Sequence, residues 1–377
     1  MRIGIDISLT IGEKAGVGYY SANLVDALAK IDKKNQYLLY PFFYHIYHPD
    51  FKTAIAPSQG NFHLRFAKLS KQIIDLLWNS SVPKKWVLGN VDILHSTTFC
   101  APRDHFGKLI VTIYDISFLT LPECHIEANR QHCLQGTLDA VRYADRLIAI
   151  SNHGKEELIK MFNADPRKVA VTHLAAKDIF VPRAPEEQEV VLAKYRLPRD
   201  FIFTVGSCEP RKNIITLIRA YAGLPESTKS GHPLVIAGGK GWLNSDLNTL
   251  VESLPSGQIR HIGYVAEQDL PALYSAASIF VYPSLYEGFG LPILEAMSCG
   301  TPVIASNTSS MPEIGGEAAL YFDPTDTNQL IRRMLELIDN AAMKAKLRQK
   351  GFDNAHRFSW KKTAMETLRI YEETYSQ

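Results

Sequence analysis

The sequence predicts an α/β protein of two doubly wound, Rossmann-like domains, and three observations lead there. Short, nearly all-apolar runs alternate with helical patterns of roughly ten to fifteen residues, the signature of βαβ units and parallel sheets. The chain has 377 residues, more than one hydrophobic core ordinarily serves. In the second half the stretch Glu287-Gly288-Phe289-Gly290-Leu291-Pro292-Ile293-Leu294-Glu295 reads as a glycine-rich turn entering a helix. In open α/β sheets, ligands bind at such turns beyond the carboxyl ends of the strands.

In chain order, the first half carries expected strands near 2–8, 36–41, 92–96, 109–113, 146–150 and 169–173. Leu109-Ile110-Val111-Thr112-Ile113 and Arg146-Leu147-Ile148-Ala149-Ile150 are short and almost wholly apolar, as strands buried on both faces are. The polar, proline-containing stretch 181–189 reads as a linker, which sets the domains at 1–182 and 183–359, with a last helix in 360–377. Second-half strands are expected near 201–205, 233–237, 259–262, 279–283 and 302–305.

A net charge of +2 gives no global basicity for nucleic acid. No apolar run approaches a membrane span, and Met1-Arg2-Ile3-Gly4-Ile5-Asp6-Ile7 reads as a strand rather than a targeting segment. Five cysteines, an odd number without paired spacing, suit a reducing cytoplasm better than a disulfide framework.

The segment from Glu287 to Glu295 carries the most chemistry. Pro292 suits the start of a helix because its missing N–H would be unpaired there. Gly288 and Gly290 let the backbone approach a ligand, and the amides at the helix start favour an anion such as a diphosphate. Gly300 ends the helix, and Pro302-Val303-Ile304-Ala305 reads as the next strand. Two carboxylates flanking this turn can face a polyhydroxylated ligand while the amides hold its phosphates. A glycine-rich loop with two solvated acids is the plainer alternative. Upstream, Arg211 and Lys212 follow a buried strand, where adjacent cations can neutralise a diphosphate leaving group. As a pair of solvated charges at a helix start they would oppose the helix dipole.

Further blocks accompany these residues: His261-Ile262-Gly263-Tyr264-Val265, Tyr286 to Gly290, Gly300-Thr301-Pro302-Val303-Ile304-Ala305, Val205-Gly206-Ser207-Cys208-Glu209-Pro210-Arg211-Lys212-Asn213 and Ala237-Gly238-Gly239-Lys240-Gly241-Trp242. In this order, over most of the second half, the chain resembles the retaining nucleotide-sugar glycosyltransferases with the Glu-x7-Glu signature (group 1, glycosyltransferase family 4-like). The first half matches more loosely. The resemblance implies the GT-B fold: two Rossmann-like domains facing across a cleft, the first on the acceptor side, the second binding the donor, and the last helix packing back onto the first.

It also implies roles. Glu295 would bind the ribose hydroxyls, and Phe289, Gly290 and Leu291 would offer backbone amides to the phosphates. Glu287 would sit beside the sugar ring near the anomeric carbon. Arg211 and Lys212 would meet the diphosphate, and Tyr264 and Val265 the base. Gly16 and Gly18 resemble the family's N-terminal glycine loop, which approaches the diphosphate. The G-x-G-x-x-G spacing is absent there, and a simple tight turn explains residues 12–18 equally well. No metal is expected, since the two cations and the helix N-terminus neutralise the diphosphate.

Asp115 follows the buried run 109–113 and thereby sits at a strand end. It can orient the acceptor hydroxyl or accept its proton; equally, it can cap the following turn. Many relatives carry His before this Asp, whereas here the position is Tyr114. His95 and His153 read as structural. Cys124-His125 and His132-Cys133 hold zinc-ligand residue types without the tight pairing of a zinc site. The segment 62–86 sets Arg65, Lys68, Lys71, Lys84 and Lys85 against the single acid Asp75, with Leu69, Ile73, Leu76, Leu77, Trp78 and Trp86 interleaved. Such a stretch can rest on an anionic leaflet, but a helix packing its apolar face on its own domain is commoner. The aromatic run 42–47 poses the same choice.

Gly239-Lys240-Gly241-Trp242 and Glu209 to Asn213 look most like bacterial GDP-mannose-dependent mannosyltransferases. The expected activity is retaining transfer of a hexose, mannose from GDP-mannose, to a hydroxyl of a glycan or lipid-linked saccharide in surface polysaccharide assembly. Glu287 and Asp115 do not form an obvious double-displacement pair, so attack is expected on the face the leaving group departs from. The alternatives are a UDP-sugar-dependent transferase and a nucleotide-sugar-binding relative without catalysis. A 2-epimerase shares the fold, but the Glu-x7-Glu block argues against it.

Overall fold

The computed structural model describes residues 1–11, 16–43, 55–66, 71–239 and 257–377. Its contacts divide the chain into Met1–Leu174 with Trp360–Gln377, and Ala175–Ser359. The sequence-based boundary at 182/183 falls slightly later, just ahead of the helix Pro185–Tyr195.

In the first unit, β1 (Arg2–Asp6), β2 (Gln36–Tyr40), β3 (Phe62–Leu64), β4 (Ile93–Ser96), β5 (Lys108–Ile113), β6 (Arg146–Ala149) and β7 (Val169–Val171) form one sheet. Its order is β3-β2-β1-β4-β5-β6-β7 and its described pairs are parallel. The order reverses between β1 and β4, so Asp6 and Ser96 end neighbouring strands at the switch point where such sheets bind ligands. The helix Gly16–Ile31 buries Tyr20, Leu24, Val25 and Leu28, a stripe at three- and four-residue spacing. The helix Trp360–Tyr375 packs against it, burying Thr363, Ala364, Thr367, Ile370 and Tyr371, so the end of the chain belongs to the first unit. Thr363 Oγ1 also donates to the His173 carbonyl at 2.6 Å.

In the second unit, β8 (Ile202–Val205), β9 (Leu234–Ala237), β10 (Ile259–Gly263), β11 (Ile279–Tyr282), β12 (Val303–Ser306) and β13 (Ala319–Phe322) form a parallel sheet of order β10-β9-β8-β11-β12-β13. One face packs Ile202, Ile236, Val281 and Ile304 on Leu217 and Ile218 from the helix Ile214–Ala222 and on Leu330, Met334 and Leu337 from the helix Thr327–Ile338. Asp326 caps the latter helix by accepting from the Gln329 amide.

Two strands escape the sequence-based list, β3 and β13, and both lie at sheet edges. An edge strand pairs on one side only, so β3 needs neither length nor a continuous apolar run, whereas Ala319-Leu320-Tyr321-Phe322 of β13 is such a run. The run 62–86 is accordingly three pieces in the described residues: β3 and the helices Lys71–Asn79 and Lys84–Leu88. Trp78 is buried against Phe42 and Phe43, whereas Leu76 is 69% and Trp86 65% exposed. Among the described residues no helix is long and apolar enough to cross a membrane.

Candidate active site

In the second unit, loops at the carboxyl ends of the strands are laced together. Gly206 N donates to Ala237 O at 2.9 Å, Cys208 N to Gly239 O at 3.0 Å, and Gly238 N to Gly263 O at 2.7 Å. At Gly238 a Cβ would lie 1.9 Å from the Gly206 carbonyl oxygen, so only glycine permits this approach. After β8 the chain enters the single-turn 3-10 helix Pro210–Lys212. After β11 it runs to Gly290, whose φ of +100° starts the helix Leu291–Ser298. Ser310 Oγ shares its one hydrogen between the carbonyls of Glu287 and Phe289, at 2.8 and 2.9 Å, and Glu287 N donates to Ser309 Oγ at 2.9 Å. The turn is therefore clamped from the loop after β12.

These loops bring Arg211, Lys212 and Glu287 into one ionic cluster. Arg211 donates to Glu287 Oε2 at 2.9 Å, to the Tyr286 carbonyl at 2.8 Å and to Glu209 Oε1 at 2.7 Å. Lys212 Nζ donates to Glu287 Oε1 at 2.7 Å and to the Tyr282 hydroxyl at 3.1 Å. The Arg211, Lys212 and Glu287 side chains are only 17%, 14% and 9% exposed. Burial alone would push the Glu287 carboxyl up, but the adjacent Arg211 and Lys212 charges outweigh it and hold the group at about 2. The cations are thus ordered, partly buried groups rather than solvated charges at a helix start. Glu209 is a member the motif reading passed over; its place two residues before Arg211, at the cap of a tight turn, is the signal that could have found it.

Glu295 sits in the second turn of the helix Leu291–Ser298 and accepts from the Tyr274 hydroxyl at 3.0 Å. Burial pushes its carboxyl up to about 7, with the Tyr274 hydrogen bond opposing and Glu267 adding to the rise. Tyr274 is fully buried among Phe180, Phe203 and Phe280. The sequence shows a tyrosine in a helical stripe, whose hydroxyl needs a partner when buried, but which residue supplies it was not legible. Leu291 begins the helix and Phe289 is buried edge-on to Phe358. Val265 is buried, while Tyr264 beside it is 73% exposed.

In the first unit, Gly16 and Gly18 open the helix Gly16–Ile31; residues 12–15 of that loop, and residues 240–242, lie outside those described. Asp115 lies two residues beyond β5 and is half-buried. Its Oδ1 accepts from Ser117 N at 2.9 Å and from Ser117 Oγ at 2.7 Å, so the capping geometry foreseen for it is present. Tyr114 is buried and donates to the Thr97 carbonyl at 2.6 Å. His95 is buried between the Tyr371 hydroxyl (2.6 Å) and Thr112 Oγ1 (2.8 Å). His153 contacts Glu157 one turn along its helix at 3.2 Å. His132 Nε2 lies 3.5 Å from Cys100 Sγ. Among the described residues no group of three His, Cys, Asp or Glu is gathered as metal ligands.

Residues 187–354 match the family of glycosyl transferases group 1. Over 366 residues the chain is 34% identical to the O-antigen chain mannosyltransferase B of Escherichia coli, covering 95% of this chain and 96% of that protein. Among solved structures, sucrose-phosphate synthase from Thermosynechococcus elongatus superposes with a TM-score of 0.76 at 21% identity, covering 100% of this chain and 99% of that one. Anabaena Alr3699/HepE, in complex with UDP and glucose, superposes with a TM-score of 0.74 at 18% identity, covering 99% and 100%. Together with the two parallel sheets, these likenesses show the GT-B fold.

Proposed function

The chain belongs to the group 1 glycosyl transferases, and on that premise we propose that it transfers mannose from GDP-mannose, with retention, to a hydroxyl of a glycan or lipid-linked saccharide in surface polysaccharide assembly. The Escherichia coli relative, a mannosyltransferase by name, supports the sugar and the setting. The observation that carries the donor-side reading is the pairing of Arg211 and Lys212 with Glu287 at the turn before the helix Leu291–Ser298. Cations already ordered by carboxylates are prepared to meet charge that develops on a departing diphosphate, without reorganising at that moment.

In this reading Glu295, one helical turn further on, accepts the ribose hydroxyls, and Tyr264 and Val265 meet the base. The amides of Phe289, Gly290 and Leu291 and the loop of Gly16 and Gly18 approach the diphosphate, and Glu287 sits by the sugar. Asp115 faces the acceptor hydroxyl, whose proton passes toward the diphosphate oxygen as the new bond forms on the face the nucleotide leaves. Arg211, Lys212 and the helix amino end meet the diphosphate charge without a metal, so EDTA is expected to leave turnover intact.

A thermal-shift panel of GDP-mannose, UDP-glucose, UDP-N-acetylglucosamine and the free nucleotides tests the donor. A specific binder at one hundred times its Kd stabilises by about 2.7 kcal/mol. Response to GDP and GDP-mannose alone is the expected result. A uridine preference, as the UDP complex of the Anabaena structure would suggest, keeps the family and replaces the donor; silence toward every nucleotide overturns the donor-site reading. We further propose peripheral attachment to the cytoplasmic membrane face through 62–86, in whose described part Ile73, Leu76, Val82 and Trp86 are exposed beside Lys84 and Lys85. Co-sedimentation with anionic but not neutral vesicles is its test.

A further inference from the structure

We propose that His125 is a positioning residue of the acceptor side, fixing the Asp115 carboxylate through Ser117. The inference rests on the reading above that Asp115 faces the acceptor hydroxyl. Beyond Asp115 the chain makes the short helix Ser117–Thr120 and the 3-10 turn Pro122–Cys124, and the buried Cys124 pins that turn to the unit. The turn brings His125 back over the helix start, with Nε2 3.0 Å from Ser117 Oγ.

The direction of these bonds follows from counting protons. Ser117 Oγ carries one hydrogen and gives it to Asp115 Oδ1 at 2.7 Å. The contact with His125 is then a hydrogen bond only if imidazole Nε2–H donates. The result is a one-way chain, His125 Nε2–H to Ser117 Oγ–H to Asp115 Oδ1, joined at the same oxygen by Ser117 N at 2.9 Å. None of these bonds uses Oδ2. Aligned donors polarise one another and stiffen the carboxylate at Oδ1, so Oδ2 is held in one orientation for a hydroxyl.

A second turn of the same build shows that the turn alone is a structural device. At the end of β1, Asp6-Ile7-Ser8 repeats the Asp-Ile-Ser sequence, and Asp6 Oδ1 accepts from Ser8 N at 2.9 Å and Ser8 Oγ at 2.6 Å. Asp6 is wholly buried, and no imidazole is seen bonded to its serine among the described residues. Asp115 is half-buried and carries the extra link.

The test measures transfer from GDP-mannose to a lipid-linked mannosyl oligosaccharide, alongside GDP affinity and melting temperature. His125→Ala is expected to lower kcat about tenfold or more with the donor KM and GDP affinity unchanged, as misplacement of a reacting group does. His125→Gln, whose amide still donates to Ser117, is expected to recover most of the loss. Ser117→Ala should match His125→Ala, and the double variant should be no worse than either. A His125→Ala enzyme at the wild-type rate, with Asp115→Asn impaired, overturns the inference and leaves the acceptor reading standing. An unimpaired Asp115→Asn overturns the acceptor reading itself. Independently of activity, nitrogen-15 spectra should show His125 protonated at Nε2; an Nε2 without its proton overturns the chain.

Discussion

Lys212 Nζ lies 2.7 Å from one oxygen of Glu287 while Arg211 holds the other at 2.9 Å, so one buried carboxylate ties the loop after β8 to the loop after β11. Glu209 on Arg211 completes a set of two cations and two anions. The cluster is neutral as a whole, which is what lets charged groups persist at this depth. Its cations are fixed before any ligand arrives.

Arg211→Ala removes the partner of two buried carboxylates at once. Breaking such a pair costs about 3–5 kcal/mol of stability. Turnover is expected to fall about a hundredfold or more, as on loss of a donor aimed at transition-state charge, with a smaller change in nucleotide affinity. Denaturant titration and steady-state kinetics on one preparation separate the two effects; a variant with unaltered kcat would remove Arg211 from the diphosphate.

Glu287 gives the cluster a signature in acid. Its folded-state value of about 2 lies below the ordinary 4.5, so the native state holds fewer protons than the unfolded chain between those values. Its stabilisation is present above the ordinary carboxylate range and is lost as pH falls through that window. Glu287→Gln should flatten the acid limb of the unfolding midpoint against pH, and an unchanged limb would mean the carboxylate is not held low.

Glu295 runs the other way. Its carboxyl is pushed up to about 7, so the native state keeps a proton that the unfolded chain has lost between the ordinary 4.5 and that value. Stability from this group declines as pH rises through the window, while its power to accept ribose hydroxyls increases. Nucleotide affinity should therefore rise between pH 6 and 8, by at most about tenfold per pH unit. Tyr274→Phe deletes the hydrogen bond that favours the ionised form and should move the midpoint upward. Calorimetric titrations at several pH values read both; a flat profile would dissociate Glu295 from the ribose.

Asp115→Asn keeps the shape of the turn and an acceptor oxygen for Ser117, but removes the charge. Transfer to acceptor is expected to slow about a hundredfold, as misorientation of a reacting group does, while GDP binding stays as in the wild type. A loss of GDP binding together with transfer would mark the residue as structural.

The strand-rich core of both units was legible because buried parallel strands are continuous apolar runs, as in Leu109 to Ile113 and Ile279 to Tyr282. The edge strand Phe62–Leu64 was not, since three residues around the exposed His63 carry no pattern of their own, whereas Ala319–Phe322 is an apolar run of the legible kind that the sequence-based list omits. In the site, Arg211, Lys212 and Glu287 stood out as charges flanking glycine turns. That they bind one another was not visible, because the 75-residue separation of Lys212 and Glu287 is closed by sheet topology, not local spacing. Tyr274 and His125 escaped for the same reason: a side chain's partner across a turn or a helix pair is set by packing.

The His95 and Tyr371 pair allows a test of how the last helix is held. His95 on β4 is fully buried and burial pushes its imidazole down to about 3, so the ring is neutral and has one donor and one acceptor nitrogen. Tyr371 takes one at 2.6 Å and Thr112 the other at 2.8 Å. Tyr371→Phe keeps the ring packing and strips one nitrogen of its partner, which costs about 1–3 kcal/mol. The helix Trp360–Tyr375 lies against Gly16–Ile31, so the loss should appear as faster amide exchange in both helices and in β4, with β8 to β13 unaffected. Exchange unchanged in Gly16–Ile31 would show that the apolar stripe of the last helix, through Ala364 and Ile370, secures it without the buried hydrogen bond.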